Sequence, residues 1–300
     1  MTPGGGPGDA PAECVVNISE GRDAGVVAAV AAAGGPLVLD VHTDAEHHRS
    51  VLTLAGPLAD VEAATRSVAA VAVERIDLGR HSGVHPRRGA VDVVPFVPLR
   101  APDGSATPWD SVLRARDAYA RWSGDELGVP CFLYGPERSL PDVRRDAFVA
   151  LEPDTGPPVA HPTAGATAVG ARTVLIAYNV WIAASGPDVP GATDPTVDAV
   201  AVARDIAGRL RRPGLRTLGL TVGDAAQVSC NVVDPERVSL VEIYDAVARD
   251  AVARGCEVRR GELVGLLPGT ALAAVPERRQ AELGVRAEDT IEFRLGAHPG

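Results

Sequence analysis

The stretch Leu37-Val38-Leu39-Asp40-Val41-His42, then Thr43 to His48, then Ser50-Val51-Leu52-Thr53-Leu54, decides the fold. Two short apolar runs rich in Val and Leu flank a polar turn, which predicts two paired strands. From Pro57 to Arg75 the apolar residues recur at helical spacing, so a helix follows the second strand. Upstream, Glu13 to Ile18 is a further apolar run, and Asp23 caps an alanine-rich helix that ends at Gly34. Downstream, a basic, glycine-containing loop from Arg80 to Gly89 leads into the strand Ala90 to Val97. The order is β-α-β-β-α-β.

The same order returns in the second half. It runs through a strand at Thr173 to Asn179, a helix from about Pro195 to Leu210, strands at Leu215 to Val222 and Gln227 to Val232, a helix at Ser239 to Ala253, and a strand near Cys256 to Val264. Between the halves lie a helix at Trp109 to Leu127, a strand at Cys131 to Tyr134 and a helix around Asp142 to Leu151. The expected class is α+β, with two ferredoxin-like lobes and a ligand cleft between them. The expected divisions are a disordered tail at 1–12, a first lobe at 13–151, an interlobe hinge segment at 152–172 and a second lobe at 173–300. Glu152 to Gly165, rich in Pro and Gly, is the candidate hinge, and its small residues would let a flat ligand approach the backbone.

Composition narrows the chemistry. The chain has 300 residues, 46% hydrophobic and 23% charged, enough for two cores. Its net charge of -10 disfavours nucleic acid and membrane surfaces as partners. All 29 cationic residues are arginines, and with no lysine the chain has no Schiff-base lysine and no phosphate loop of the Gly-Lys-Ser/Thr kind. Cys14, Cys131, Cys230 and Cys256 are scattered, which suits small buried hydrophobes in a reducing compartment rather than a disulfide framework. The start lacks a signal-peptide pattern and no apolar run reaches a membrane span, so a cytoplasmic location is expected.

Five of the seven histidines, His42, His47, His48, His81 and His85, fall between Asp40 and Gly89. A loop imidazole that titrates near neutrality can take a proton from one amine and deliver it to another. His85 is the first candidate: Pro86 stiffens the backbone after it, and Arg80, Arg87 and Arg88 would draw a carboxylate substrate. Asp40 and Asp92, at strand ends, could orient an imidazole or an ammonium group, or cap turns. Asn17, Ser19, Glu20, Gly21 and Arg22 form a strand-to-helix junction suited to an anion, or simply to capping the helix. Arg49 and Arg172 could each grip a carboxylate, and Trp181 could stack on a ring or pack an interface. A histidine-bound metal is the rival reading, although His81 and His85 lie in a loop where a spacing of four carries no helical geometry.

Taken together, Glu13 to Arg22, Arg80 to Asp92, Gly165 to Arg172 with Ala177-Tyr178-Asn179, Ala226 to Asn231 and Glu262 to Leu266 resemble the glutamate formimidoyltransferase (formiminotransferase) family, over about residues 13 to 270. The resemblance implies a transferase module of two α/β lobes that forms a homodimer and carries a formimino group from N-formimino-L-glutamate to tetrahydrofolate. It implies no metal or redox cofactor. The family's catalytic histidine precedes proline in the loop motif, which makes it His85 here. Its folate-binding stretch matches Gly156, Pro157, Pro158, Val159, Ala160, His161, Pro162, Thr163, Ala164 and Gly165. Asn17, Ser19, Asp40, Arg49, Arg87, Arg172 and Asn179 are the candidate substrate-binding residues. The chain departs from the family's usual pattern at Val84, His48 and Trp181. A metal-dependent amide or amidine hydrolase, and a folate-binding paralogue without catalysis, are the competing expectations.

Overall fold

The computed structural model describes residues 10–82, 87–101, 103–185, 197–222 and 225–297. The chain divides into two units, with the boundary between Thr173 and Val174.

In the first unit, β1 (Pro11–Ile18), α1 (Ala24–Ala33), β2 (Val38–Asp44), β3 (Arg49–Pro57), α2 (Leu58–Arg75) and β4 (Val91–Pro98) follow the expected order. Then come α3 (Trp109–Glu126), β5 (Cys131–Tyr134), α4 (Leu140–Asp146) and β6 (Thr167–Ala171). They build one six-stranded sheet in the order β2-β3-β1-β4-β6-β5. The first four strands pair antiparallel, while β6 lies parallel between β4 and β5.

Side-chain alternation gives this sheet two different faces. Cys14, Val16 and Ile18 of β1, Leu52 and Leu54 of β3 and Phe96 of β4 turn toward Val61, Val68 and Ala72 of α2 and Val112 and Tyr119 of α3. Register puts other residues on the opposite face: Asp40 stands across from Thr53 and Thr53 across from Val15, while His42, Val51, Asn17 and Val93 form the next row. On the β5–β6 side, α4 covers that second face, and Val143 and Ala147 pack on Val93, Phe132, Ala166 and Ala168.

Some elements differ from expectation here. Strand β6 was not anticipated, because three of the five residues in Thr167-Ala168-Val169-Gly170-Ala171 are Ala or Gly, which are depleted in strands. Its small residues are required by its position, since a Cβ on Gly170 would stand 2.1 Å from the Tyr134 ring. The segment 152–165, the candidate hinge, groups with the first unit. Cys131 N–H donates to Thr155 O at 3.0 Å, Thr155 Oγ1 donates to Ala120 O at 2.7 Å, and Gly156 lies against Gly124 so closely that neither tolerates a Cβ. Its glycines at 156 and 165 both sit in close packing. Helix α4 is also shorter than expected: it starts in a capping box at Ser139 and stops at Asp146, and Phe148 follows with φ 61°.

The second unit contains β7 (Ile176–Ala184), α5 (Ala199–Leu210), β8 (Leu215–Val222), β9 (Ala225–Val232), α6 (Leu240–Val252) and β10 (Cys256–Val264). Its antiparallel sheet has the order β10-β7-β9-β8. Three short helices follow that sequence reading did not place: α7 (Gly269–Ala273), α8 (Glu277–Leu283) and α9 (Ile291–Ala297). Ile176, Tyr178, Val180 and Ile182 pack with Ile206, Ile243 and Val247 on the helical side. All four cysteines are free and buried, and burial pushes the Cys14 thiol up to about 12, so they act as apolar packing.

Candidate functional site

The turn from β1 into α1 was expected to suit an anion, and the protein supplies that anion itself. Glu20 Oε1 accepts from the backbone N–H of Gly21 at 2.8 Å, Arg22 at 2.7 Å and Asp23 at 3.0 Å, and it meets His48 Nε2 at 3.1 Å. Burial pushes the pKa of this carboxyl up, but the backbone donors of Asp23 and Arg22 and the neighbouring His48 outweigh it and hold it below the ordinary value. Asp23 separately caps α1 through Gly25 and Val26 N–H. The junction is therefore filled from within. Ser19 is fastened as well, its hydroxyl donating to Gly89 O at 2.7 Å and its N–H to Ala90 O at 2.9 Å.

His48 closes the β2–β3 hairpin with φ 49° and stacks on His81 at 4.3 Å, 8° from parallel. His81 Nε2–H donates to His48 O at 3.0 Å, His48 Nδ1 meets Ser82 O at 3.2 Å, and Arg22 Nη1 reaches Ser82 Oγ at 3.3 Å. Burial lowers the pKa of His81, with the charges of His48 and Arg87 acting the same way. The loop is thus tied to the hairpin tip up to Ser82. His85, the candidate catalytic residue, lies outside the described residues, as do Gly83, Val84 and Pro86.

The description resumes at Arg87, in a cluster around Asp92. Asp92 is 2% exposed and accepts from Arg144 Nη2 at 2.7 Å, Arg88 N–H at 3.0 Å and Arg87 Nη1 at 3.4 Å. Burial alone would raise its pKa, but Arg144, the Arg88 N–H and Arg87 overcome that and hold the carboxyl low. Asp92 was expected to orient an imidazole or an ammonium; it orients guanidinium groups instead. Arg87 is lowered to about 10, first by burial and then by the charges of Arg49 and Arg144. Arg88 donates to the carbonyls of Arg144 and Ala147, which ties α4 to the start of β4. A small pocket beside the cluster is lined by Arg88, Asp92, Phe132, Arg144 and Thr167.

Among the predicted residues, Arg49 lies near enough to Arg87 for its charge to act on it, while others stand elsewhere. Asn17 and Asp40 lie on the face of the same sheet opposite α2 and α3, and Asn17 Nδ2 donates to Val15 O at 3.1 Å. Arg172 follows the far end of β6, where its N–H donates to Phe96 O, four residues along β4 from Asp92 and so roughly 13 Å away along the strand. The stretch from Gly156 to Gly165 lies in the first unit beside the loop ends. His161 Nδ1 accepts from Ala164 N–H at 3.0 Å, Leu78 N–H donates to Thr163 O at 2.8 Å, and Ala90 N–H to Ala164 O at 2.9 Å. Within it, Pro158, Val159, Ala160, Pro162 and Thr163 are exposed.

Asn179 belongs to the second unit. There Glu262 Oε2 accepts from Trp181 Nε1 at 2.8 Å, Asn179 Nδ2 at 3.0 Å and Gln227 Nε2 at 3.3 Å, and Arg260 lies 4.4 Å over the Trp181 ring. Trp181 is thus held by a carboxylate and an arginine. Sequence reading missed Arg144, Gln227 and Glu262 as partners; pairing β7 with β9 and β10 in register would have found the last two. Among the described residues no three metal-ligating side chains converge, and no helix is long and apolar enough to cross a membrane.

Comparison with known proteins now decides the family. The N-terminal subdomain of the formiminotransferase domain matches residues 11–172, and the formiminotransferase domain matches residues 177–289. The chain belongs to the formiminotransferase family. The family boundary falls where the two units divide. Glutamate formimidoyltransferase from Streptococcus pyogenes serotype M1 is 35% identical, with 88% of this chain and 91% of that protein covered. The protein of the same name from Thermoplasma acidophilum is 33% identical, over 88% and 90%. Formimidoyltransferase-cyclodeaminase of Sus scrofa is 34% identical over 87% of this chain, which spans half of that longer protein.

Proposed function

We propose that the chain transfers a formimino group from N-formimino-L-glutamate to tetrahydrofolate, giving 5-formiminotetrahydrofolate and glutamate. The supporting observation is the pair of formiminotransferase matches over residues 11–172 and 177–289, joined by 35% identity to a glutamate formimidoyltransferase along nearly its whole length. The β-α-β-β-α-β block of each unit, with strand orders β2-β3-β1-β4 and β10-β7-β9-β8, supports reading both as ferredoxin-like.

In the proposed reaction N5 of tetrahydrofolate attacks the formimino carbon and a new carbon–nitrogen bond forms, giving a tetrahedral intermediate. His85 takes the N5 proton and returns a proton to the glutamate nitrogen as the old carbon–nitrogen bond breaks. Before His85 in the chain, Ser82 contacts His48 and Arg22, and after it Arg87 and Arg88 donate to Asp92. Gly156 to Gly165, packed against residues 78 and 88–90, is the proposed folate-binding stretch.

The test mixes the protein with tetrahydrofolate and N-formimino-L-glutamate, with N-formiminoglycine alongside, and follows both folate and free amino acid. Equal amounts of 5-formiminotetrahydrofolate and glutamate are expected. Breakdown of the donor without tetrahydrofolate would instead favour a hydrolase, and tight folate binding without turnover a non-catalytic paralogue.

A further inference from the structure

We propose that the Nε–Nη2 edge of Arg87 receives one carboxylate of the formimino donor, and that Asp92 and Arg144 hold that edge in place. The assignment rests on the transferase reading and adds to it the atoms that recognise the donor. Arg87 is nearly enclosed, its side chain 3% exposed, yet only Nη1 has a carboxylate partner, Asp92 Oδ2 at 3.4 Å. Nε and Nη2 are buried and have no acceptor among the described residues.

Those two nitrogens form one side of the planar guanidinium, where two N–H bonds run parallel at the spacing of two carboxylate oxygens. Buried donors are normally matched, and leaving a charged pair unmatched costs stability in the ligand-free protein. Asp92 cannot turn to them. It is already shared with Arg144 and with the Arg88 N–H, and two guanidinium groups face this one carboxylate. The charge of Arg49 also reaches Arg87 and lowers its pKa along with burial. Arg87 and Arg144 outnumber Asp92, and the unpaired edge matches the two oxygens of a planar anion, whereas an ammonium group offers it no acceptor.

Arg87→Met and Arg87→Lys test this, because methionine removes the charge and lysine keeps the charge without the fork. Steady-state transfer, thermal unfolding and stabilisation by L-glutamate are measured for each. The expected result is a donor KM about 10- to 100-fold higher in both variants, with the KM for tetrahydrofolate unchanged. L-Glutamate should no longer raise the unfolding temperature. The ligand-free Arg87→Met protein should unfold at the wild-type temperature or above, since an incompletely matched buried charge is gone while Asp92 keeps Arg144 and the Arg88 N–H.

An unchanged donor KM with normal glutamate stabilisation would overturn the assignment alone. So would a raised KM for tetrahydrofolate with the donor unaffected, which would place the folate's own carboxylates on this edge. A large drop in unfolding temperature with wild-type binding would make Arg87 a structural strut. A wild type that neither transfers the group nor responds to L-glutamate would overturn the transferase reading and this assignment with it.

Discussion

The Glu20 turn, which meets Ser82 through His48 and Arg22, and the cluster that begins at Arg87 both pair a carboxylate with positive or N–H donors. Their arithmetic differs. At Glu20 the donors converge on one oxygen and the carboxylate completes the nest left at the start of α1. At Asp92 the carboxylate is saturated first, and two guanidinium nitrogens of Arg87 remain over. Polar residues at a strand end do not by themselves mark a binding site. The balance of donors against acceptors separates a closed structural knot from one prepared for a ligand.

The largest stability effect should come from breaking the second knot at its centre. Asp92→Ala leaves Arg87 and Arg144 facing each other without their shared acceptor, and urea unfolding should show a loss of about 3–5 kcal/mol. Acid sharpens the same point. Folding lowers the Asp92 pKa from 3.8, so its contribution is complete above that pH and is lost as pH falls through the lower folded value. Unfolding midpoints of wild type and Asp92→Asn should therefore keep a constant gap from pH 7 to pH 5 and converge below the ordinary aspartate range. A gap that widened toward acid would contradict the assigned direction.

Next in size is Gly165→Ala, which alters the backbone clamp between the folate-stretch candidate and the loop end. Gly165 has φ 69°, and a Cβ there would stand 2.0 Å from Arg88 O. A loss of about 1–3 kcal/mol is expected in thermal unfolding. Glu20→Gln should cost about 1–2 kcal/mol, because a neutral amide oxygen accepts less strongly than the carboxylate that three backbone N–H groups now share. Val159→Ala, at a residue 66% exposed, should change stability by less than about 0.5 kcal/mol, and any larger loss would show that residue packed rather than presented.

Much of this was legible in the sequence because it is periodic. The hairpin from Val38 to Pro57 and helices α2, α3, α5 and α6 follow from apolar alternation and helical spacing. Strand β6 was hidden, since its Gly170 answers to a neighbour, the Tyr134 ring, that is far away in the chain. The Pro- and Gly-rich run from Glu152 read as a hinge for the same reason: composition records that the backbone is special there, but not whether it moves or packs. Of the histidines and arginines singled out in the sequence, His48 stacks on His81, and Arg49 lies near enough to Arg87 for its charge to lower the Arg87 pKa. Arg144 was not visible, because nothing in Val143-Arg144-Arg145 shows which arginine turns to Asp92 until α4 is laid across the sheet.

The most direct test of the account is the rate of 5-formiminotetrahydrofolate formation by His85→Ala beside wild type, at saturating tetrahydrofolate and N-formimino-L-glutamate. A fall of about 10²- to 10⁴-fold in kcat, with an unfolding temperature like that of wild type, is the predicted result. A variant that transferred the formimino group at the wild-type rate would contradict it.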